Sequence, residues 1–274
     1  MAKSINLKGS LKLTKHALDI FENNMEKYND PEYYDLQYQN YLKDFPLILE
    51  WAEKINGEII DLACGTGRLT IPLAQKGFKL TGVDINEGML DRARKKTRNT
   101  NLPIQWELQD CTKLKLNKSG SLIYMTGNSF QHFLTNEAQN NLFQSVHAHL
   151  IEEGIFIFNT RFPILSELAI IDESKRTYVD KRMRKVTEYE VDSYDPLTQI
   201  LTSTSTREIL NDQNQVVSTE KDRILLRYVF PMEMERLIEQ NGFSILYTYD
   251  SWNKSPIQKG STELIYVCQK SSSL

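Results

Sequence analysis

The chain has 274 residues, 40% of them hydrophobic and 25% charged, with a formal net charge of −3, which is the make-up of a globular protein large enough to bury a sizeable core. No apolar run approaches the ~20 residues needed to cross a bilayer, and interspersed acids and bases leave no basic footprint, so neither a membrane nor a nucleic acid is expected as partner. A small molecule is expected instead, in a cytoplasmic setting that suits three scattered cysteines, Cys64, Cys111 and Cys268, read as reduced packing residues.

In chain order, "MAKSINLKGSLKLTK" lacks the contiguous apolar core of an export signal and reads as a helical or frayed lead-in. The stretch around Tyr28, Tyr33, Tyr34, Tyr38 and Tyr41 follows, on one or two helices that either pack an aromatic face on a sheet or form a lid. From Glu58, the branched apolar runs "EIIDLA", "FKLTGVD", "PIQWELQD", "SLIYMT" and "GIFIFNT" alternate with helical patterns, which is the signature of a parallel sheet with crossover helices. Two of those helical patterns, "GRLTIPLAQKG" and "TNEAQNNLFQSVHAHLIEEG", end on glycines placed to stop them. After Arg161 the composition turns to β-formers, predicting three antiparallel strands near 183 to 194, 199 to 210 and 216 to 229. The helix "PMEMERLIEQNG" and an antiparallel closing pair, "FSILYTYD" and "ELIYVCQK", complete an α/β fold. The expected organisation is a lead-in and lid over 1–57, a ligand-binding domain over 58–165 and 231–274, and a β insert on the substrate side over 166–230.

The informative turn is "DLACGTGRL". A dinucleotide fingerprint needs a third small residue where Thr70 stands, and Asp61 in the approach would repel phosphate. The carboxylate suits a cationic amino group, and Gly65 and Gly67 let an organic ligand lie against the backbone. Asp84 ends the next strand, where it can accept from both hydroxyls of a ribose; Asp110 ends the one after, within reach of an adenine amine. The Cys111 amide faces the ring and Ile85 and Met89 offer it apolar surface. An amine, a ribose and an adenine without a phosphate describe S-adenosylmethionine. Singly, each acid is as often a helix cap; the order of acid, two glycines, acid and acid is the specific signal.

At these residues the chain resembles the class I S-adenosylmethionine-dependent methyltransferases, with "DLACGTGRL", "VDIN" and "QDCT" as their first three motifs. The resemblance covers roughly residues 40 to 270. It implies a Rossmann-like, seven-stranded, mostly parallel sheet with a reversed last strand and helices on both faces, plus the small antiparallel insert. It also implies a cofactor site of Asp61, Ala63, Cys64, Gly65, Gly67, Asp84, Ile85, Met89, Asp110, Cys111 and Gly127. "TGNSFQHF" and "FNTRF" are locally similar to glycine and sarcosine N-methyltransferases, which implies Gly127, Asn128 and His132 around the transferring methyl, Arg161 on a substrate carboxylate and Tyr228 facing the substrate.

The expected activity is methyl transfer to a small molecule, an amine or carboxyl-bearing compound, with N- favoured over O-methylation. An amine need only arrive deprotonated; an alcohol would want a base, for which His132 and Tyr34 are the candidates. His147 and His149 lie on different helix faces, so no metal is expected. The alternatives are a nicotinamide-dependent oxidoreductase and a non-catalytic cofactor-binding subunit. The methyl acceptor and the oligomeric state stay open, a homodimer among the options.

Overall fold

The computed structural model describes residues 24–162, 168 and 171–271, so the "MAKSINLKGSLKLTK" lead-in lies outside the described residues. Two helices come first, α1 (Pro31–Tyr38) and α2 (Phe45–Lys54), each opened by a proline in its first turn, where the missing N–H costs nothing. Then follow β1 (Ile59–Leu62), α3 (Thr70–Gln75), β2 (Leu80–Asp84), α4 (Glu87–Thr97), β3 (Ile104–Leu108), β4 (Gly120–Met125), α5 (Asn136–His149) and β5 (Leu150–Arg161). After β6 to β9, the helix α6 (Pro231–Gln240) leads into β10 (Phe243–Tyr249) and β11 (Glu263–Lys270). The large sheet has seven strands in the order β10-β11-β5-β4-β1-β2-β3. β1 to β5 are parallel, and β11 runs antiparallel to both of its neighbours. This is the Rossmann-like sheet with a reversed last strand that the sequence predicts.

Strand periodicity sorts the central residues onto two cores. Ile60, Leu62, Ile123, Met125, Phe156 and Phe158 face α5 and α6, with Phe143, Val146, Met234 and Ile238 packed on them. Ile59, Leu122, Tyr124, Ile155 and Ile157 face the other way, against Leu47, Ile48 and Ala52 of α2 and Leu73 and Ala74 of α3. Burial on both faces explains the unbroken apolar runs. One central position needs a glycine: a Cβ on Gly82 would lie 2.5 Å from Cζ3 of Trp106, the residue directly opposite on β3.

Gly154 does not stop a helix. α5 ends at His149 because Leu150 already pairs with Gly120 of β4, and Glu153 at φ 60° marks an irregularity inside the strand. Gly77, by contrast, closes α3 with φ 95° and a bond from its N–H to the carbonyl of Ala74.

The second sheet contains four antiparallel strands in the order β6 (Ile171–Val179), β7 (Lys185–Asp195), β8 (Ile200–Leu210) and β9 (Val216–Arg227). Three correspond to the expected strands. β6 is additional, and its run "DESKR" is the reason sequence propensity passes over it: charge on an edge strand discourages pairing with other chains and lowers the strand signal. One face of the insert is polar as well as buried. Glu188, Ser203, Ser205 and Asp222 are all at least nine-tenths buried there. Arg207 pairs with Asp222, and Ser205 donates to Glu188 at 2.7 Å. Among the described residues no helix is long and apolar enough to cross a membrane.

Candidate active site

The chain leaves β1 through a turn with three left-handed residues, Ala63 (φ 54°), Gly65 (φ 57°) and Gly67 (φ 79°). A Cβ on Gly67 would meet Cη2 of Trp106 at 2.7 Å, so side-chain space as well as backbone hand demands glycine there. The turn is tied to the next strand by Asp84. Its Oδ2 accepts from the Gly65 N–H at 2.8 Å and its Oδ1 from the Asn86 N–H at 2.8 Å. Burial raises the Asp84 carboxyl, and backbone N–H groups of Asn86, Gly65 and Ile85 only partly offset it.

Asp61 sits deeper, directly opposite Tyr124 in the β1–β4 register. Its Oδ2 accepts from the Tyr124 hydroxyl at 2.8 Å and from Thr70 Oγ1 at 2.6 Å. Burial pushes its carboxyl up to about 7, against the pull of those two hydroxyls and of Arg68. A buried acid hydrogen-bonded by two neutral hydroxyls is a place where a ligand cation would be stabilised. At the third strand end Asp110 caps a short helical turn: its Oδ1 accepts from Thr112 N and Oγ1, both at 2.8 Å. Asp110 is therefore a cap and a cavity residue together.

These acids line one cavity of about 440 Å³, with Ala63, Cys64, Gly65, Ile85, Met89, Cys111 and Gly127 on the same walls. That volume is within the range of small-molecule sites. Ile85 is exposed and Met89 buried, Cys64 and Cys111 are buried free thiols, and burial lifts the Cys111 thiol to about 12. No Cβ contact waits at Gly127, whose φ is 70°.

Several lining residues escape the sequence reading. Arg68, immediately after the second glycine, enters the cavity wall while its guanidinium grips Asp44 bidentately at 2.7 and 2.5 Å and donates to the Tyr41 carbonyl at 2.5 Å. Asn24, Met25 and Tyr28 close the cavity from the N-terminal segment, beside the expected Tyr34. This segment is a strap fastened at both ends. Glu26 accepts from the Arg223 N–H at 2.8 Å and Asp30 pairs with Arg182 at 2.6 Å, both on the insert. Asp35 takes Thr66 Oγ1 at 2.5 Å, Arg92 at 2.8 Å and Lys96 at 3.0 Å. Burial raises the Asp35 carboxyl, but those three donors outweigh it and hold it below its ordinary value. Tyr28 meets Tyr34, and Tyr34 meets Tyr38, with rings tilted to one another and centroids 6.0 and 4.8 Å apart. Tyr28 and Tyr34 thus stand on the cavity wall, while the later helix α2 of the same stretch packs on the sheet.

His132 lines the cavity from the helical turn after β4. Burial, helped by Lys27, lowers its imidazole to about 4, so it is neutral at physiological pH. Tyr34 is raised to about 12 by burial and stays protonated. Asn128, Arg161 and Tyr228 are not on the cavity wall. Asn128 is left-handed and exchanges hydrogen bonds with Asn159 at 3.2 and 2.7 Å. Arg161 ends β5 opposite Glu263, and Tyr228 is fully buried against Tyr194, ring centroids 6.3 Å apart. His147 packs on Phe243 and His149 accepts from the Leu116 N–H at 3.2 Å, so both histidines are engaged in packing.

Residues 59–154 match the family described as "Methyltransferase domain". That segment carries a methyltransferase domain, in line with the resemblance of its strand-end motifs. The chain is 36% identical over 104 residues to "Putative methyltransferase YqeM" of Bacillus subtilis (strain 168), a match covering 38% of this chain and 42% of that protein. It is 25% identical over 144 residues to "Glycine/sarcosine N-methyltransferase" of Parasynechococcus marenigrum (strain WH8102), covering 45% and 51%. The chain therefore spans about half or less of the length of these curated relatives. A solved S-adenosylmethionine-dependent methyltransferase from Clostridium acetobutylicum ATCC 824 superposes with a TM-score of 0.73 at 22% identity, over 85% of this chain and 93% of that one. The sugar N-methyltransferase KedS8 from Streptoalloteichus sp ATCC 53650 superposes at 0.62 and 17% identity, over 85% and 92%. The chain shares its fold with both.

Proposed function

We propose that the protein transfers a methyl group from S-adenosylmethionine to the nitrogen of a small molecule that also carries a carboxyl or hydroxyl group. The observation that carries this reading is the convergence of the strand-end acids Asp61, Asp84 and Asp110 with Gly65 of the glycine turn on one cavity, Gly67 facing Trp106 instead. The residues present fit the cofactor. Asp61, raised by burial to about 7, regains its charge beside an ammonium. Asp84 has lone pairs left for ribose hydroxyls beside its backbone bonds, and Asp110 and the Cys111 amide would take the adenine edge. Arg68 is the cation for the methionine carboxylate, an assignment absent from the sequence reading.

The sulfonium supplies an activated methyl group and a thioether leaving group. The chain's own contribution is alignment and exclusion of water, through the turn, the strap tyrosines and the cavity walls. An amine that arrives neutral needs no base, which suits a site whose nearest histidine is neutral and hydrogen-bonded. N-methylation is also the activity named for the cyanobacterial relative and for KedS8. The family match speaks against the nicotinamide alternative.

Calorimetry with S-adenosylmethionine tests the cofactor half: saturable binding that Asp84→Ala abolishes is expected, and a folded protein that binds nothing would overturn it. A panel of amino acids, amines and amino sugars with labelled cofactor, read by mass spectrometry, tests the acceptor half. Cofactor binding without turnover of any amine, alongside a stable protein partner, would favour a non-catalytic subunit.

A further inference from the structure

The side-chain amide of Asn24 has both its polar atoms committed. Its Oδ1 accepts from the Leu225 N–H at 2.7 Å, and its Nδ2 donates to the Leu225 carbonyl at 3.0 Å and faces His132 Nδ1 at 3.1 Å. The Leu225 N–H can only donate, so the amide cannot be reversed, and its nitrogen must be the atom that meets the imidazole. His132 Nδ1 therefore accepts and carries no proton. The ring proton lies on Nε2, 2.9 Å from the Tyr28 oxygen, which accepts it. Tyr28 then keeps its own O–H proton, and Tyr28 lines the cavity.

We infer that Asn24 is a positioning residue which locks His132 in the Nε2–H form and so turns the Tyr28 hydroxyl into a hydrogen-bond donor aimed at the acceptor. This inference rests on the methyl-transfer reading for its substrate, while the lock itself does not. Two consequences follow for the chemistry. His132 has no lone pair to spare for a proton, because Nδ1 is filled by Asn24 and Nε2 is already protonated. A donor at Tyr28 selects an acceptor molecule with a lone-pair oxygen, a hydroxyl or carboxylate, next to the nitrogen, since a bond to the reacting nitrogen itself would consume the pair that attacks. An imidazolium would bring two N–H groups together at Asn24, a second reason beyond burial for the ring to stay neutral.

The lock is tested in the wild-type protein, without any ligand, by nitrogen NMR of the His132 ring at about neutral pH. Protonated Nε2 and bare Nδ1 are expected; a protonated Nδ1 overturns the inference. Asn24→Ala should let the two tautomers exchange while the remaining histidines keep their signals. Its acceptor consequence is tested with an amine that the labelled-cofactor panel identifies. Tyr28→Phe should raise KM for that amine about tenfold with cofactor binding within about twofold of wild type. Asn24→Ala should do the same, and the double variant should be no worse than Tyr28→Phe alone, because the two act in one chain of hydrogen bonds. Additive losses, or an unchanged KM in Tyr28→Phe, would remove the acceptor role. A failure of cofactor binding would sink the methyl-transfer reading and leave the tautomer measurement to decide the lock.

Discussion

Cofactor affinity should depend on pH through Asp61. In the cofactor-free protein, burial holds this carboxyl at about 7, so near neutrality half of the molecules carry a proton where the ammonium of the ligand has to bind. Binding to the ionised form alone multiplies the apparent Kd by one plus the ratio of protonated to ionised carboxyl. Between about pH 7.5 and about pH 5.5 that factor rises roughly 25-fold, or about 1.9 kcal/mol. Calorimetry with S-adenosylhomocysteine should therefore show weaker binding at the lower pH and release of about half a proton at neutrality. Asp84, also raised by burial, adds in the same direction, so Asp61→Asn sets the baseline and should lose most of the slope. The same shift acts on folding with a definite sign: the folded carboxyl keeps its proton after the unfolded one has lost it, so this group's contribution to stability falls as pH rises from about 4 to about 7. Asp61→Asn should remove a decline of about 4 kcal/mol at most. Equal pH slopes for wild type and Asp61→Asn, or tighter binding in acid, would refute the reasoning.

Three further outcomes are expected. Asp35→Ala removes a buried carboxylate that gathers Thr66, Arg92 and Lys96; it should cost about 1–3 kcal/mol and raise hydrogen exchange over residues 24–38 while the central sheet stays protected. Gly82→Ala drives a methyl into Trp106 and to 3.0 Å from Cys64 Sγ, an overpacking that should cost about 1–3 kcal/mol in a denaturant melt and be partly relieved by trimming Trp106 to Leu. Arg68→Lys keeps a cation but loses the planar fork on Asp44; it should weaken S-adenosylmethionine about tenfold and leave the affinity for an analogue without the carboxylate unchanged, as read by competition calorimetry.

The sheet was legible because each strand announces itself twice, by a branched apolar run and by the acid or turn that ends it. Asp61, Asp84 and Asp110 stand at three successive strand ends, and parallel topology alone brings such ends to one edge. β6 was not legible, since its charges serve the edge of the insert and mask its extended conformation. Tyr28 and Asn24 were hidden for a different reason. Their partners, His132 and Leu225, are 104 and 201 residues away, and no local pattern encodes a contact of that span. Asn128, Arg161 and Tyr228 stand off the cavity wall, and a short string marks a position in the chain while the direction of the side chain depends on its neighbours, Asn159 and Glu263 here among them.

The double fastening of the strap divides the labour of the molecule. The acids and glycines proposed for the cofactor lie in or just after β1, β2 and β3, and a sheet with a core on each face holds them. The wall over them is built from some fifteen residues around Tyr28 and Tyr34, carried by side-chain contacts from Asp30, Asp35 and Asn24. Under the methyl-transfer proposal, exchanging that wall for another leaves the cofactor chemistry standing and changes what is methylated. A scaffold of this kind can diversify its substrates by grafting one short segment, without redesigning the domain beneath it.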